Sequence, residues 1–292
     1  MRRMIKFHPS VIITFFICSI FYTMYTNNPL VMALSFFCSL LFYLILEEKK
    51  LFFRHLLFTL LIFAILTLTN PLFVSRGETI LFTIGKKNIT KESLAYGATM
   101  SMMLTAVITW FKCYNKIMTS DKFIYLFGKI LPNVSTIISM GISFIPRFIE
   151  KGKAINLAQK NLGLYKKKFL NRVKLNLRVF SSLITWALEN SLDTADSMNA
   201  RGYGLKEKTN FSIFKYKISD FLLTIIMVSL MIFIIIGSAL KYLDYQYYPN
   251  LTPLNFSLIN VLLYLALGLL MMIPTIIEVK ENLKWNFFKS KI

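Results

Sequence analysis

Long uncharged runs alternate with short polar segments along much of the chain. The first of these runs, from Pro9 to Leu46, is 38 residues long. As a single helix it would measure about 57 Å, nearly twice the thickness of a bilayer core of about 30 Å. It therefore contains two spans. Asn27-Asn28-Pro29 supplies the reversal between them, because Asn favours turns and Pro has no N–H.

The same pattern predicts six membrane-spanning helices, none of which contains Asp, Glu, Lys, Arg or His. They are Val11–Tyr25, Leu30–Leu46, Leu56–Val74, Ser93–Phe111, Phe221–Leu240 and Leu254–Ile277. Composition agrees, since 55% of the residues are hydrophobic and only 16% are charged, against about 25% in a typical soluble domain. The predicted fold is an all-α multi-pass membrane protein.

The net charge of +20 indicates membrane orientation rather than nucleic-acid binding. If the N-terminus is cytoplasmic, 29 of the 34 Lys and Arg residues lie on the cytoplasmic side. Without the long basic segment between the fourth and fifth spans the ratio is still 10 to 5, as the positive-inside rule requires. We therefore expect both termini in the cytoplasm. The basic run Lys166–Lys168 is expected to contact anionic lipid headgroups.

The segment from Lys112 to Lys217 is too polar to cross a bilayer, yet its pattern is helical. A short helix is predicted from Asp121 to Ile130, after Thr119-Ser120, and it is followed by two long ones. The long helices run from Val134 to Leu162 and from Asn171 to Ala200.

These elements divide the chain into three parts. Residues 1–111 form a four-helix membrane domain, residues 112–217 a cytoplasmic module with two long helices, and residues 218–292 a two-helix membrane segment with an interfacial tail. Gly163 and Gly202 follow the long helices and are predicted to end them, because glycine readily adopts the left-handed conformation of a helix C-terminus.

Apolar residues recur at steps of three and four along the second long helix and form one face. Phe180, Ile184 and Ala187 lie near the middle of that face. A stripe this long, tethered to a membrane domain, needs a partner, which is either the other long helix or another subunit.

No catalytic or metal-binding pattern accompanies these helices. The three cysteines, Cys18, Cys38 and Cys113, form no CxxC pair. The two histidines, His8 and His55, stand where the chain enters the membrane, which favours capping or interfacial roles. Nucleotide-binding and hydrolase fingerprints are absent from the sequence. We therefore expect no enzyme, no metal site and no cofactor.

Three segments around the two long helices resemble the transmembrane T component of energy-coupling factor (ECF) transporters, a family that includes cobalt-transport permease subunits. They are Phe144–Glu150, Ala158–Gly163 and Ser197–Gly204. That family carries an Ala-Arg-Gly motif at the tip of each of two coupling helices. Here Ala200-Arg201-Gly202 matches fully, whereas Asn161-Leu162-Gly163 keeps only the glycine.

The resemblance implies a subunit that neither binds the transported substrate nor hydrolyses ATP. Two ABC-type ATPases would clamp the tips at Asn161–Gly163 and Ala200–Gly202. A substrate-binding integral membrane subunit would dock on the apolar helix faces. Closure of the ATPases on ATP would then move the helices and drive uptake of a micronutrient, either a vitamin or cobalt or nickel.

The alternative is a membrane anchor or scaffold that offers its basic cytoplasmic module to another partner. The proteins that co-purify with the chain distinguish the two hypotheses. ATPases favour the coupling subunit, whereas nucleic acid or no partner favours the anchor.

Overall fold

The computed structural model describes residues 7–74, 77–84, 87–163, 169–203 and 214–289. The chain divides into two compact units, which we call the membrane unit (Met1–Phe123 with Phe214–Ile292) and the two-helix unit (Ile124–Ile213). Within the described ranges the helices are α1 (Pro9–Tyr25), α2 (Pro29–Leu46), α3 (Lys49–Phe73), α4 (Lys91–Ile117), α5 (Ser120–Ile130), α6 (Pro132–Asn161), α7 (Phe169–Ala200), α8 (Ile218–Ala239) and α9 (Leu258–Lys289).

The all-α membrane fold is confirmed. Five helices (α2, α3, α4, α8 and α9) are long and apolar enough to cross a bilayer, and α1 is an apolar helix of 17 residues. Several extend past the predicted spans: α3 begins at Lys49 rather than Leu56, and α4 ends at Ile117 rather than Phe111. Apolar composition marks only the part of a helix within the hydrocarbon, whereas the backbone hydrogen bonds continue into the headgroup region.

Polar caps begin the first two helices. The His8 Nδ1 atom accepts a hydrogen bond of 3.3 Å from the Ser10 N–H. Asn28 Oδ1 accepts one of 3.0 Å from the Leu30 N–H. Each cap precedes a proline at the first helical position, where the missing N–H costs no helical bond. The capping role of His8 and the turn before α2 are confirmed.

Trp110 of α4 joins three helices at the centre of the membrane unit. It is fully buried, and its ring lies 5.5 Å from that of Phe15 and 6.2 Å from that of Phe42, measured between centroids. Its Nε1–H donates to Ser35 Oγ at 3.1 Å, and Ser35 Oγ lies 2.7 Å from Thr23 Oγ1. In a membrane the hydrophobic effect does not drive helices together, so hydrogen bonds between small polar residues such as these help to hold the helices in contact.

A second network joins the turn before α2 to the segment that follows α8. The amide of Asn28 donates to the Leu243 carbonyl at 3.1 Å and to the Tyr264 hydroxyl at 3.0 Å. The Tyr247 hydroxyl donates to the Asn27 carbonyl at 2.8 Å and lies 2.9 Å from Thr99 Oγ1. Burial raises the pKa of Tyr247 to about 12, which keeps the hydroxyl protonated as a donor.

A β-hairpin that the sequence pattern does not predict precedes α4. Its strands are β1 (Ile80–Ile84) and β2 (Lys87–Thr90), paired antiparallel. The Thr79 hydroxyl donates to Glu92 Oε1 at 2.6 Å and closes the base of the hairpin on the first turn of α4.

Candidate functional site

In the two-helix unit, α6 and α7 contact each other near the middle of both helices. The Trp186 ring meets the Phe148 ring edge to face, with 5.6 Å between centroids and 88° between planes. The Lys151 ammonium lies 5.5 Å from the Trp186 ring centroid, within reach of a cation–π interaction. One turn along, a Cβ on Gly152 would lie 3.3 Å from Leu183 Cδ1, so this glycine allows the helices to approach closely.

The order of these contacts shows the relative direction of α6 and α7. Phe148 meets Trp186, whereas Gly152, further along α6, meets Leu183, which is earlier in α7. The helices therefore run in opposite senses through the contact, and their C-terminal ends lie on opposite sides of it. At 1.5 Å per residue, α6 ends about 14 Å beyond Gly152 and α7 about 21 Å beyond Trp186.

The end of α7 is a complete Schellman motif. Gly202 has a φ of +74°, the left-handed conformation that glycine adopts without steric cost. Its N–H donates to the Asn199 carbonyl at 3.0 Å, and the Tyr203 N–H donates to the Met198 carbonyl at 3.0 Å. Arg201 is the exposed residue between the last helical position and the glycine.

The end of α6 has the same cap geometry over the residues that the structure describes. Gly163 has a φ of +70°, and its N–H donates to the Lys160 carbonyl at 3.1 Å. Leu162 occupies the position that Arg201 has on α7, and 73% of its surface is exposed. Both glycines end their helices as predicted. The basic run Lys166–Lys168 lies outside the described residues.

The predicted apolar face of α7 is largely exposed. The exposed fraction is 62% for Phe180 and 45% for Ile184, while Ala187 is half-buried. The α7 side chains that meet α6 are instead Leu183 and Trp186. Of the two partners considered for this face, α6 therefore does not cover Phe180 and Ile184.

The exposed apolar residues of α7 form a stripe that we call the α7 stripe. It consists of Val173, Leu177, Phe180, Ile184, Leu188 and Leu192. A similar set on α6 consists of Ile138, Ile142, Ile145 and Ile149. Each set follows the helical period, so each helix presents an apolar surface whose side chains are 38% to 69% exposed.

Sequence reasoning missed the residues of the α6–α7 contact. Gly152 could have indicated the contact, because an isolated glycine inside a helical pattern commonly marks a place where another element packs closely. The apolar pattern of α7 could not show which residues face α6, since Leu183 and Trp186 belong to a second apolar row beside the α7 stripe.

The side chains that could serve as catalytic or metal-binding groups make structural contacts instead. His55 is 3% exposed, with Nε2 3.1 Å from Thr109 Oγ1 and Nδ1 2.7 Å from the Lys112 ammonium, so it joins α3 to α4. The cysteines are buried separately as free thiols. Within the described part of the chain, His, Cys, Asp and Glu form no group of three or more that could hold a metal ion.

Comparison with known proteins gives two findings. A family model described as cobalt transport protein, CbiQ, matches residues 8–211. The chain is also 28% identical, over 212 residues, to a protein of Listeria innocua serovar 6a named energy-coupling factor transporter transmembrane protein EcfT. That match covers 66% of this chain and 78% of the Listeria protein. The family match includes all of α1 to α7, and therefore both helix ends described above.

Proposed function

Because the chain belongs to the CbiQ cobalt transport protein family, we propose that it is the coupling subunit of an ECF-type ABC importer. In this role it transmits the ATP-driven closure of two ATPase subunits to a substrate-binding membrane subunit. The family and the name of the Listeria protein support the T component of an ECF transporter, a multi-pass membrane subunit. The observation that carries the mechanism is the pair of exposed helix ends, each followed by a glycine in the left-handed conformation, on opposite sides of one helix contact.

The α7 end suits a contact with an ATPase. The Arg201 guanidinium offers a rigid fork of donors to carboxylates or backbone carbonyls. Gly202 has no side chain to keep a partner backbone at a distance. The last carbonyls of the helix remain available as acceptors where the cap does not use them. Ala200 beside Arg201 adds little bulk.

The α6 end provides the same backbone form without the cation. Asn161 and Leu162 replace the Ala and Arg of the other tip, and an exposed leucine fills an apolar pocket rather than an acidic groove. The unequal tips indicate two different ATPases, each with a groove that suits one tip. Each tip lies on its own side of the α6–α7 contact, so each ATPase engages a separate end of the pair.

The α7 stripe supplies the surface for the substrate-binding subunit. Burying a large aliphatic or aromatic side chain contributes about 1.5–3 kcal/mol, so a few residues such as Phe180 and Ile184 suffice for a specific interface. Movement of the helix ends on ATPase closure then passes through α6 and α7 to the docked subunit. Both chain termini face the cytoplasm in this arrangement, and the chain itself supplies no catalytic group or cofactor.

The substrate is a micronutrient, a vitamin or a cobalt or nickel ion, chosen by the subunit that docks on the stripe.

The direct test is purification of the tagged full-length chain from its own membrane in mild detergent, followed by identification of the bound proteins. We expect ABC-type ATPases and a small integral membrane protein. Recovery with nucleic acid or without ATPases would instead favour the anchor or scaffold hypothesis.

A further inference from the structure

Two exposed cations of the membrane unit, Arg54 of α3 and Lys112 of α4, lie at the same end of these two helices. They are close enough for the two charges to repel each other, and we call them the cation pair. The uncharged run of α3 begins at Leu56, and that of α4 ends at Phe111. Each cation therefore stands within two residues of the hydrocarbon, at the depth of the lipid headgroups.

Neighbouring side chains hold the Lys112 ammonium in place. The Thr109 hydroxyl donates to the Thr105 carbonyl at 2.8 Å, so its oxygen accepts from the His55 Nε2–H, with 3.1 Å between the heavy atoms. His55 Nδ1 is then unprotonated and accepts a hydrogen bond of 2.7 Å from the Lys112 ammonium. The ammonium also lies 5.5 Å from the Phe58 ring centroid. His55 uses one of its three N–H donors, which leaves two for a ligand.

The surroundings of the cation pair carry a net positive charge. Residues 47–55 and 111–117, which form this end of α3 and α4, contain five Lys or Arg residues and two carboxylates. One carboxylate, Glu47, forms an ion pair of 2.7 Å with Lys116. The other, Glu48, lies six residues before the α3 cation, about 9 Å away along the helix axis. Among the described residues, no carboxylate lies within ion-pair distance of either cation.

An exposed apolar surface continues from the cation pair into the membrane. On α3, Phe58 and Leu61 follow Arg54 at steps of four and three, so the three side chains share one face. On α4, Leu104 lies two turns before Lys112 on the same face. All three apolar side chains are exposed and belong to the uncharged spans. They lie about 6–12 Å deeper than the cations, at 1.5 Å per residue, and therefore within the hydrocarbon.

We propose that this surface of α3 and α4 binds an anionic glycerophospholipid, whose phosphate contacts Arg54 and Lys112 and whose acyl chain lies along Phe58 and Leu61. Guanidinium and ammonium groups donate charge-assisted hydrogen bonds to phosphate oxygens, and the phosphate charge offsets the repulsion between the two cations. A soluble anion would match the cations but leave the apolar surface uncovered, whereas a lipid covers both. The proposal is independent of the coupling function and needs only that α3 and α4 span the membrane.

The test is a titration of the purified full-length chain with dioleoylphosphatidylglycerol in detergent, followed by native mass spectrometry. Arg54→Gln/Lys112→Gln should bind this lipid at least about tenfold more weakly than the parent, as expected for the loss of a charge-assisted bond. Arg54→Gln alone should also weaken binding. This single variant preserves the fold, because the Arg54 guanidinium makes no hydrogen bond or ion pair within the described part of the chain.

Lys49→Gln is the matched control. It removes an exposed cation from the same end of α3, and its position five residues before Arg54 places it on another side of the helix. It should bind the lipid like the parent. If Lys49→Gln weakened binding as much as Arg54→Gln does, the proposal would be overturned, because the lipid would then respond to overall positive charge.

Two further arms identify what is recognised. Arg54→Lys/Lys112→Arg keeps both cations and should bind like the parent, whereas dioleoylglycerol, which lacks the phosphate, should bind more weakly. Parent-level binding by Arg54→Gln/Lys112→Gln would contradict the proposal. Displacement of the lipid by inorganic phosphate at the same concentration would also contradict it, because the site would then belong to a soluble anion.

Discussion

Gly152 and Leu183 lie at a close contact between α6 and α7: a Cβ on Gly152 would lie 3.3 Å from Leu183 Cδ1. Since both helix tips extend from this contact, its spacing sets the positions of the tips relative to each other. Under the proposed function, a side chain at position 152 would therefore change the geometry of both ATPase contacts without touching either.

Gly152→Leu should disrupt transport while leaving the membrane helices intact. The added side chain requires Leu183 to move or α6 and α7 to separate, and such overpacking typically costs about 1–3 kcal/mol. ATP-dependent substrate uptake at matched expression measures the effect. Gly141→Leu is the control, because a Cβ there meets nothing within 4 Å. Parent-like uptake by Gly152→Leu would show that close approach at this contact is not needed.

Arg201→Ala should weaken ATPase binding by roughly 10- to 150-fold, because a hydrogen bond to a charged group contributes about 1.5–3 kcal/mol. Arg201→Glu should be worse, since it adds repulsion against an acidic groove. Leu162→Ala should cost less, unless Leu162 fills a pocket on its own ATPase. Complex assembly and uptake are measured for each variant. Arg178→Ala, which removes an exposed arginine from the middle of α7, serves as the control. Assembly and transport by Arg201→Ala at the parent level would remove this residue from the coupling mechanism.

Ile184→Asp should abolish transport in a chain that still inserts into the membrane. If the α7 stripe is covered by the substrate-binding subunit, the new carboxylate is buried without a partner, at a cost of several kcal/mol. Co-purification of that subunit is the measurement. Ser182→Asp places the same charge at an exposed α7 position that is not in the stripe, and it should retain the subunit. Retention by Ile184→Asp as well would mean that docking does not use this face.

Ser35→Ala should lower the thermal stability of the membrane unit without affecting the tips. The change removes the acceptor of the Trp110 Nε1–H, and Trp110 is fully buried. Interhelical hydrogen bonds in membranes contribute about 0.6–2 kcal/mol, so the midpoint of thermal unfolding should fall. The control is Ser229→Ala on α8, whose hydroxyl donates only to the Ile226 carbonyl of its own helix. Equal midpoints for both variants would contradict the role assigned to Ser35.

Local sequence rules predicted most of the membrane spans, helix caps and helix ends of this protein. The spans follow from uncharged length, because a backbone crossing lipid must satisfy its own hydrogen bonds in a helix. The caps at His8 and Asn28 and the stops at Gly163 and Gly202 follow from side-chain and backbone chemistry within a few residues. The role proposed for the two helix tips came from resemblance to a family, carried by short segments such as Ser197–Gly204.

The tertiary structure alone decided which residues meet across helices. Helical periodicity identified the α7 stripe but could not show that the neighbouring row, with Leu183 and Trp186, is the one that faces α6. The β1–β2 hairpin also escaped prediction, because two strands of five and four residues contain too few positions to show a period. Tyr247 pairs with Asn27 and Thr99 across large separations in sequence. Periodicity reports on one helix or strand at a time, whereas packing depends on two surfaces fitting together. For that reason the sequence could identify both helix tips, but only the folded pair places them on opposite sides of one contact.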